Sequence, residues 1–284
     1  MVGPLHILAL ADDSPYATEV LQMARDLAGW TSGELHVMSQ VEMVMPALVD
    51  STTKVHLQQE AMDARRQELE EHLKALGIQA RTTVVARGLL DEAMAALDGD
   101  GFVVVGLKGS GGLRRIFIGS TVVKLIDRTT VPVLAVPQGN HLRPPLHLYV
   151  AVAPDGPFTP ASLQHLVSRL GDKVGRITFF TSVDQGAPSE QALERLRKAQ
   201  AECGLALPTE VELHQGAEGL SALKQHVADH PNALLVLNRS ALPRRRREPG
   251  IGGDLPAIIE VPEQHFRVED GGTLGADTLE IEQC

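Results

Sequence analysis

The sequence predicts an α/β protein built from two tandem doubly wound five-stranded parallel-sheet domains, the second a degenerate copy of the first. Three observations predict it. Short apolar runs such as Phe102-Val103-Val104-Val105 alternate with segments at helical spacing, the pattern of a buried parallel sheet with helices on its faces. The alternation then recurs: Pro145-Leu146-His147-Leu148 echoes Pro4-Leu5-His6-Ile7, and Gly175 to Asp184 echoes Gly33 to Glu42. A repeat this long is a duplicated domain and not a solenoid unit. Finally, the 284 residues are 43% hydrophobic but only 3% aromatic, so Leu, Val, Ala and Ile fill two cores of ordinary domain size.

The elements of the first half follow in order. Leu5 to Ala11 reads as a strand, and Asp12-Asp13-Ser14-Pro15 as the turn after it. Ser14 can cap a helix and Pro15 suits its first position. That helix runs to about Ala28, with Val20, Leu21, Ala24 and Leu27 on one face, and Gly29 to Gly33 breaks it. Glu34 to Val41 is the second strand. A helix over Lys54 to Leu76, very polar outside, stops at Gly77. Thr82 to Ala86, Phe102 to Val105 and Val131 to Pro137 are the remaining strands, with helices at Leu89 to Leu97 and Ser120 to Arg128. Five strands with intervening helices imply a parallel sheet with right-handed crossovers.

The second half repeats this with erosion. Thr209-Glu210-Val211 and Gly216 echo Thr82-Thr83-Val84 and Gly88, and Ala233 to Leu237 echoes Phe102 to Val105. The linker, about Gln138 to Pro145, carries Pro, Gly and Asn. The expected domains are therefore 1–138 and 145–268, followed by an acidic tail over 269–284.

Net charge is −10 and the pI about 5.5, which argues against general nucleic-acid binding. No apolar run approaches the roughly 20 residues of a membrane-spanning helix, and no signal-peptide pattern opens the chain. The two cysteines, Cys203 and Cys284, fit no zinc or CxxC spacing. A cytoplasmic, reducing setting is the expectation.

Residues 106–121 carry the chemistry: Gly106-Leu107-Lys108-Gly109-Ser110-Gly111-Gly112-Leu113-Arg114-Arg115-Ile116-Phe117-Ile118-Gly119-Ser120-Thr121. A glycine-rich loop leaves a strand end and closes on a helix start. Glycine lets backbone N–H groups approach an anion, and a helix N-terminus adds unpaired donors, so this geometry suits phosphate. The spacing is Gly, two residues, Gly, nine residues, Gly, then Ser-Thr, with Val131-Pro132-Val133 beyond it. It resembles the nucleotide-binding signature of the universal stress protein family, in its ATP-binding branch. The resemblance is close in the first half and loose in the second. It implies a Rossmann-like domain of the adenine nucleotide alpha hydrolase-like group.

The resemblance also implies site residues. Ligands in doubly wound sheets sit at strand carboxyl ends near the switch point. Asp12 matches the family's acidic residue in the nucleoside pocket, with a turn carboxylate as the alternative role, one that Asp13 can fill. Gly106 matches the glycine near the ribose, and Gly109 and Gly119 those that cradle phosphate. Ser120 and Thr121 match the phosphate-holding hydroxyl and N–H position. Gln40 falls where backbone atoms touch the adenine. The implied cofactor is ATP, with or without Mg²⁺.

The second half departs from the motif. After Leu237 come Asn238 and Ala241 at the two required glycine positions, and Ala153 replaces Asp12. It is expected not to bind ATP. Arg244 to Arg247 form a cationic block, read as an exposed loop or a contact with an acidic partner. His226 and His230 are spaced for a metal, but a solvated helix face accounts for them. No catalytic base or metal site is evident.

The leading expectation is a stress-response regulatory protein that binds ATP through its first domain and uses the second for structure or for an unknown protein partner. Family members associate through the fifth strand, so the two halves are expected to pair as an intramolecular pseudo-dimer, with a homodimer as a further option. The alternatives are a nucleotide-dependent enzyme with slow ATP hydrolysis or phosphoryl transfer, and an interaction scaffold that binds no nucleotide.

Overall fold

The computed structural model describes residues 5–12, 14, 17–41, 50–97, 100–106, 108–109, 116–117, 125, 128–136, 139, 141–153, 158–183, 189–215, 232–238 and 257–261. The first half contributes β1 (His6–Leu10), α1 (Ala17–Thr31), β2 (Glu34–Gln40), α2 (Ser51–Ala75), β3 (Arg81–Val85), α3 (Leu89–Ala96), β4 (Gly101–Gly106) and β7 (Val133–Val136). Between β4 and β7 lie the two-residue strands β5 (Lys108–Gly109) and β6 (Ile116–Phe117). The second half contributes β8 (Leu146–Ala151), α4 (Pro160–Leu170), β9 (Val174–Val183), α5 (Ser189–Cys203), β10 (Thr209–Gln215), β11 (Ala233–Asn238) and β12 (Ala257–Val261).

Ten of these strands form one sheet, ordered β10-β9-β8-β11-β12-β7-β4-β1-β2-β3. Within each half every pairing of this sheet is parallel. The halves meet where β12 pairs antiparallel with β7, Ile259 opposite Leu134. Each half is doubly wound, and in the first half the chain reverses its direction of travel across the sheet between β1 and β4.

Side-chain alternation divides the core into layers. On one face Ile7, Val37, Phe102 and Val104 pack under Val20, Leu21, Leu27, Leu69 and Leu73 of α1 and α2. The same layer continues into the second half through Leu148, Ile177 and Phe179 under Leu163, Leu166 and Leu196 of α4 and α5. On the other face Leu8, Met38, Val103 and Val105 pack against Ala93 of α3 and Leu125. Leu125 belongs to the helix expected over Ser120 to Arg128. Its carbonyl accepts from Thr129 N at 2.9 Å, and the rest of that helix's start lies outside the described residues.

Local chemistry sets the helix ends. Asp50 caps α2, accepting from Thr53 N at 3.0 Å. Gly77 stops it with φ of +64°, and Ile78 N returns to Leu73 O at 2.9 Å, closing a glycine-type C-terminal turn. Two sequence expectations change. Helix α1 passes through Gly29 to Thr31, because Thr31 Oγ1 donates to Leu27 O at 2.8 Å and packing outweighs the roughly 1 kcal/mol that a helical glycine costs. Gly33 is instead needed for close approach, since a Cβ there would lie 2.7 Å from Leu5 O. The loop after β4 also contains a short antiparallel ribbon that periodicity did not reveal, with Gly109 opposite Ile116.

Candidate functional site

The strand order brings the carboxyl ends of β1 and β4 together. Leu10, last in β1, is paired with Val105, and Gly106 follows as the last residue of β4. Asp12 lies two residues beyond β1. Its Oδ1 accepts from Ser14 N at 3.0 Å, so Asp12 makes a turn contact of the kind expected as its alternative role. A carboxylate has two acceptor oxygens, so this bond leaves the acidic role intact. Asp13 lies outside the described residues.

Beside Asp12 opens a cleft of about 300 Å³. Ala11, Ala17 and Leu69 give it apolar surface, and Asp12, Ser14, Arg65, Glu68 and His72 give it polar surface. Three parts of the chain build it: the turn after β1, the start of α1 and the C-terminal half of α2. Two contacts hold α2 in place. Arg65 Nε donates to Ser39 Oγ at 3.0 Å, and His72 Nε2 lies 3.0 Å from Thr18 Oγ1 of α1. Arg65 Nη1 is 3.4 Å from Glu68 Oε2, and its side chain is only 15% exposed. Ser39 is fully buried. A mixed apolar and charged cleft of this size suits a small polar ligand with a flat or aliphatic part.

The other predicted site residues separate into two groups. Gln40 ends β2, and its side-chain oxygen accepts from Leu89 N at 3.2 Å. It thereby satisfies an orphan donor at the start of α3, whose own N-cap, Gly88, has no side chain to do so. Gln40 is thus a structural cap through its side chain, with its backbone at the strand end. Gly109 joins the β5–β6 ribbon. Gly119, Ser120 and Thr121 lie outside the described residues, as do Arg114, Arg115, His226, His230, Arg244 to Arg247 and the tail over 269–284.

The sequence reading missed Arg65 and His72 because α2 has a charged outer face over most of its length. One signal pointed to Arg65. Leu35, Val37 and Ser39 share a core-facing row of β2, and a hydroxyl in such a row requires a hydrogen-bond partner.

Residues 5–137 match the model of the universal stress protein family. The first half of the chain is thus a universal stress protein domain. None of the curated proteins matches its sequence. Among solved structures, it is similar to a universal stress protein from Archaeoglobus fulgidus DSM 4304, with 14% identity and a TM-score of 0.62, over 91% of this chain and 98% of that one. A putative universal stress protein from Pseudomonas aeruginosa UCBPP-PA14 gives 17% identity and a TM-score of 0.51, over 90% and 92% of the two chains. At these identities the likeness concerns the fold, and it extends across both halves of the chain.

No helix among the described residues is long and apolar enough to cross a membrane. No group of three or more His, Cys, Asp or Glu among them is arranged to hold a metal ion.

Proposed function

We propose that the first half binds an adenine nucleotide, ATP, at the carboxyl edge of β1 and β4, and that this cytoplasmic universal stress protein acts as a nucleotide-responsive regulator in the stress response. The observation that carries the reading is the juxtaposition of Asp12, its cleft and Gly106 at the topological switch point, the place where doubly wound sheets take their ligands. In this reading Asp12 accepts from the ribose hydroxyls. The motif glycines Gly106, Gly109 and Gly119 let backbone donors reach the phosphates, together with Ser120 and Thr121. Gln40 contributes its backbone only.

The residues are compatible with such a ligand. The cleft offers a carboxylate for a diol and apolar surface for a base. The second half has Ala153 in place of Asp12 and Asn238 in place of Gly106, so it serves as structure or as a surface for a partner. The signal is thermodynamic: a ligand that binds only the native state stabilises it by RT ln(1 + [L]/Kd).

A thermal melt tests this. ATP with Mg²⁺ at about a hundred times its Kd adds about 2.7 kcal/mol to the native state, and Asp12→Ala loses most of that gain. An unchanged melting temperature in wild-type protein at millimolar ATP rejects nucleotide binding and favours a scaffold role.

A further inference from the structure

We infer that Arg65 is a binding residue of the first-half site and reads the base of the nucleotide, not its phosphates. The inference rests on the nucleotide reading above and deepens it. Arg65 belongs to α2, far in sequence from the glycine loop. Nothing in the 106–121 motif points to it.

Three observations carry it. First, Arg65 is anchored. Its Nε donates to the fully buried Ser39 Oγ at 3.0 Å, so the guanidinium plane is fixed at the wall of the cleft that also contains Asp12. A fixed guanidinium plane offers a flat face for stacking as well as a fork of donors.

Second, the order of strands gives direction. The sheet runs β7-β4-β1-β2-β3. Asp12 follows β1, the glycine loop follows β4 on one side of it, and Ser39 lies on β2 on the other side. A ligand with its phosphates on the glycine loop and its ribose at Asp12 extends its base toward β2 and Arg65. Leu69, Ala11 and Ala17 provide apolar surface beside it.

Third, the two halves differ at this point. Ala11 N donates to Met38 O at 2.9 Å, and Val152 N donates to Phe180 O at 2.9 Å. These matching bonds align Asp12 with Ala153 and Ser39 with Thr181. Thr181 is 4% exposed, and its hydroxyl has no hydrogen-bond partner among the described residues. The half with Asp12 has the anchored arginine. In the half without Asp12 the corresponding hydroxyl has no such anchor among the described residues, so the anchor is a feature of the first half.

The test is calorimetric titration of the full chain with adenosine, AMP, ADP and ATP, for wild type, Arg65→Met, Arg65→Lys and Ser39→Ala. A base contact is shared by all four ligands. Arg65→Met is expected to weaken each by a similar factor, about tenfold. Arg65→Lys loses nearly as much, because an ammonium lacks the flat face, and Ser39→Ala loses less, because only the anchor is gone. Should Arg65→Met fail to fold, Arg65→Lys decides alone on the same criterion. Unchanged affinities in a folded variant make Arg65 a packing residue and overturn the inference. A loss that grows with the number of phosphates also overturns it, in favour of a phosphate contact. If wild-type protein binds none of the four, the nucleotide reading itself has failed, and the inference falls with it.

Discussion

Arg169, on the first helix of the second half, is ion-paired with Asp100 at the head of β4 in the first half. His165, one turn earlier, places Nε2 at 3.3 Å from the other oxygen of the same carboxylate. Helix α4 thus reaches across the β12–β7 junction and fastens to the strand that ends at Gly106. Beside the shared core layer, the two halves are joined through the backbone of the fifth strands and through this side-chain cluster.

Removing the carboxylate tests that join. The three side chains are a fifth to a third exposed, so solvent screens the pair. Asp100→Ala is expected to cost about 1 kcal/mol, a fall in melting temperature of about 3 °C for a chain of this size. Differential scanning calorimetry reads it. A loss of 4 kcal/mol or more shows that the cluster is more deeply desolvated than its exposure indicates.

Acid should weaken the fold through two histidines. Burial holds His165 below the ordinary imidazole value. His36, bonded to Thr83 Oγ1 at 2.9 Å, is lowered by burial, then by Arg81 and His6. A lowered folded pKa means that the unfolded chain binds more protons. Stability therefore begins to fall as pH drops through about 6.5, the unfolded value, and continues to fall down to the folded values. Denaturant titrations from pH 7.5 to 5 measure the slope. His36→Gln flattens it, and a variant as steep as wild type assigns the acid sensitivity to other groups.

Much of the architecture was legible in the sequence because parallel strands buried on both faces leave short, unbroken apolar runs. Phe102 to Val105 is such a run, and its echo at Ala233 to Leu237 marked the duplication. The errors arose where tertiary contacts outweigh local preference. Gly29 reads as a breaker, yet α1 is held past it by the Thr31 to Leu27 bond. Gln40 gave no hint of its cap on α3, because Leu89 is 49 residues away. The Arg65–Ser39 pair, 26 residues apart, is a meeting of two elements whose relative placement no spacing encodes. The position of Asp12 just past β1 was legible because a strand end is marked by its apolar run, whereas its turn bond to Ser14 carries no spacing signal that separates it from Asp13.

The core beneath the cleft links stability to binding. Leu69 is 1% exposed, packs with Leu73 and Val37 in the main layer, and also lines the cleft. Leu69→Ala is expected to cost about 2–5 kcal/mol by deleting buried methyl groups and leaving a cavity. Urea unfolding measures it. A loss under 1 kcal/mol means that α2 relaxes onto the sheet, and the cleft walls are then softer than described.

Close backbone approach makes Gly101, the first residue of β4, sensitive to any side chain. A Cβ there would lie 2.2 Å from His6 O in the neighbouring strand. Gly101→Ala is expected to cost about 1–3 kcal/mol through strain in the β1–β4 pair. The same strain displaces Gly106 from Asp12, so nucleotide affinity falls with stability. A variant with unchanged stability contradicts the described β1–β4 spacing.

The central claim is that the first half of this chain, the universal stress protein domain, binds nucleotide and the second does not. Native mass spectrometry of the full chain with ATP and Mg²⁺ counts the sites directly. The account predicts one ATP per chain, and none for Gly109→Val combined with Gly119→Val, where added side chains block backbone approach to phosphate. Two equivalent ATP molecules per chain, or one retained by the double variant, would contradict it.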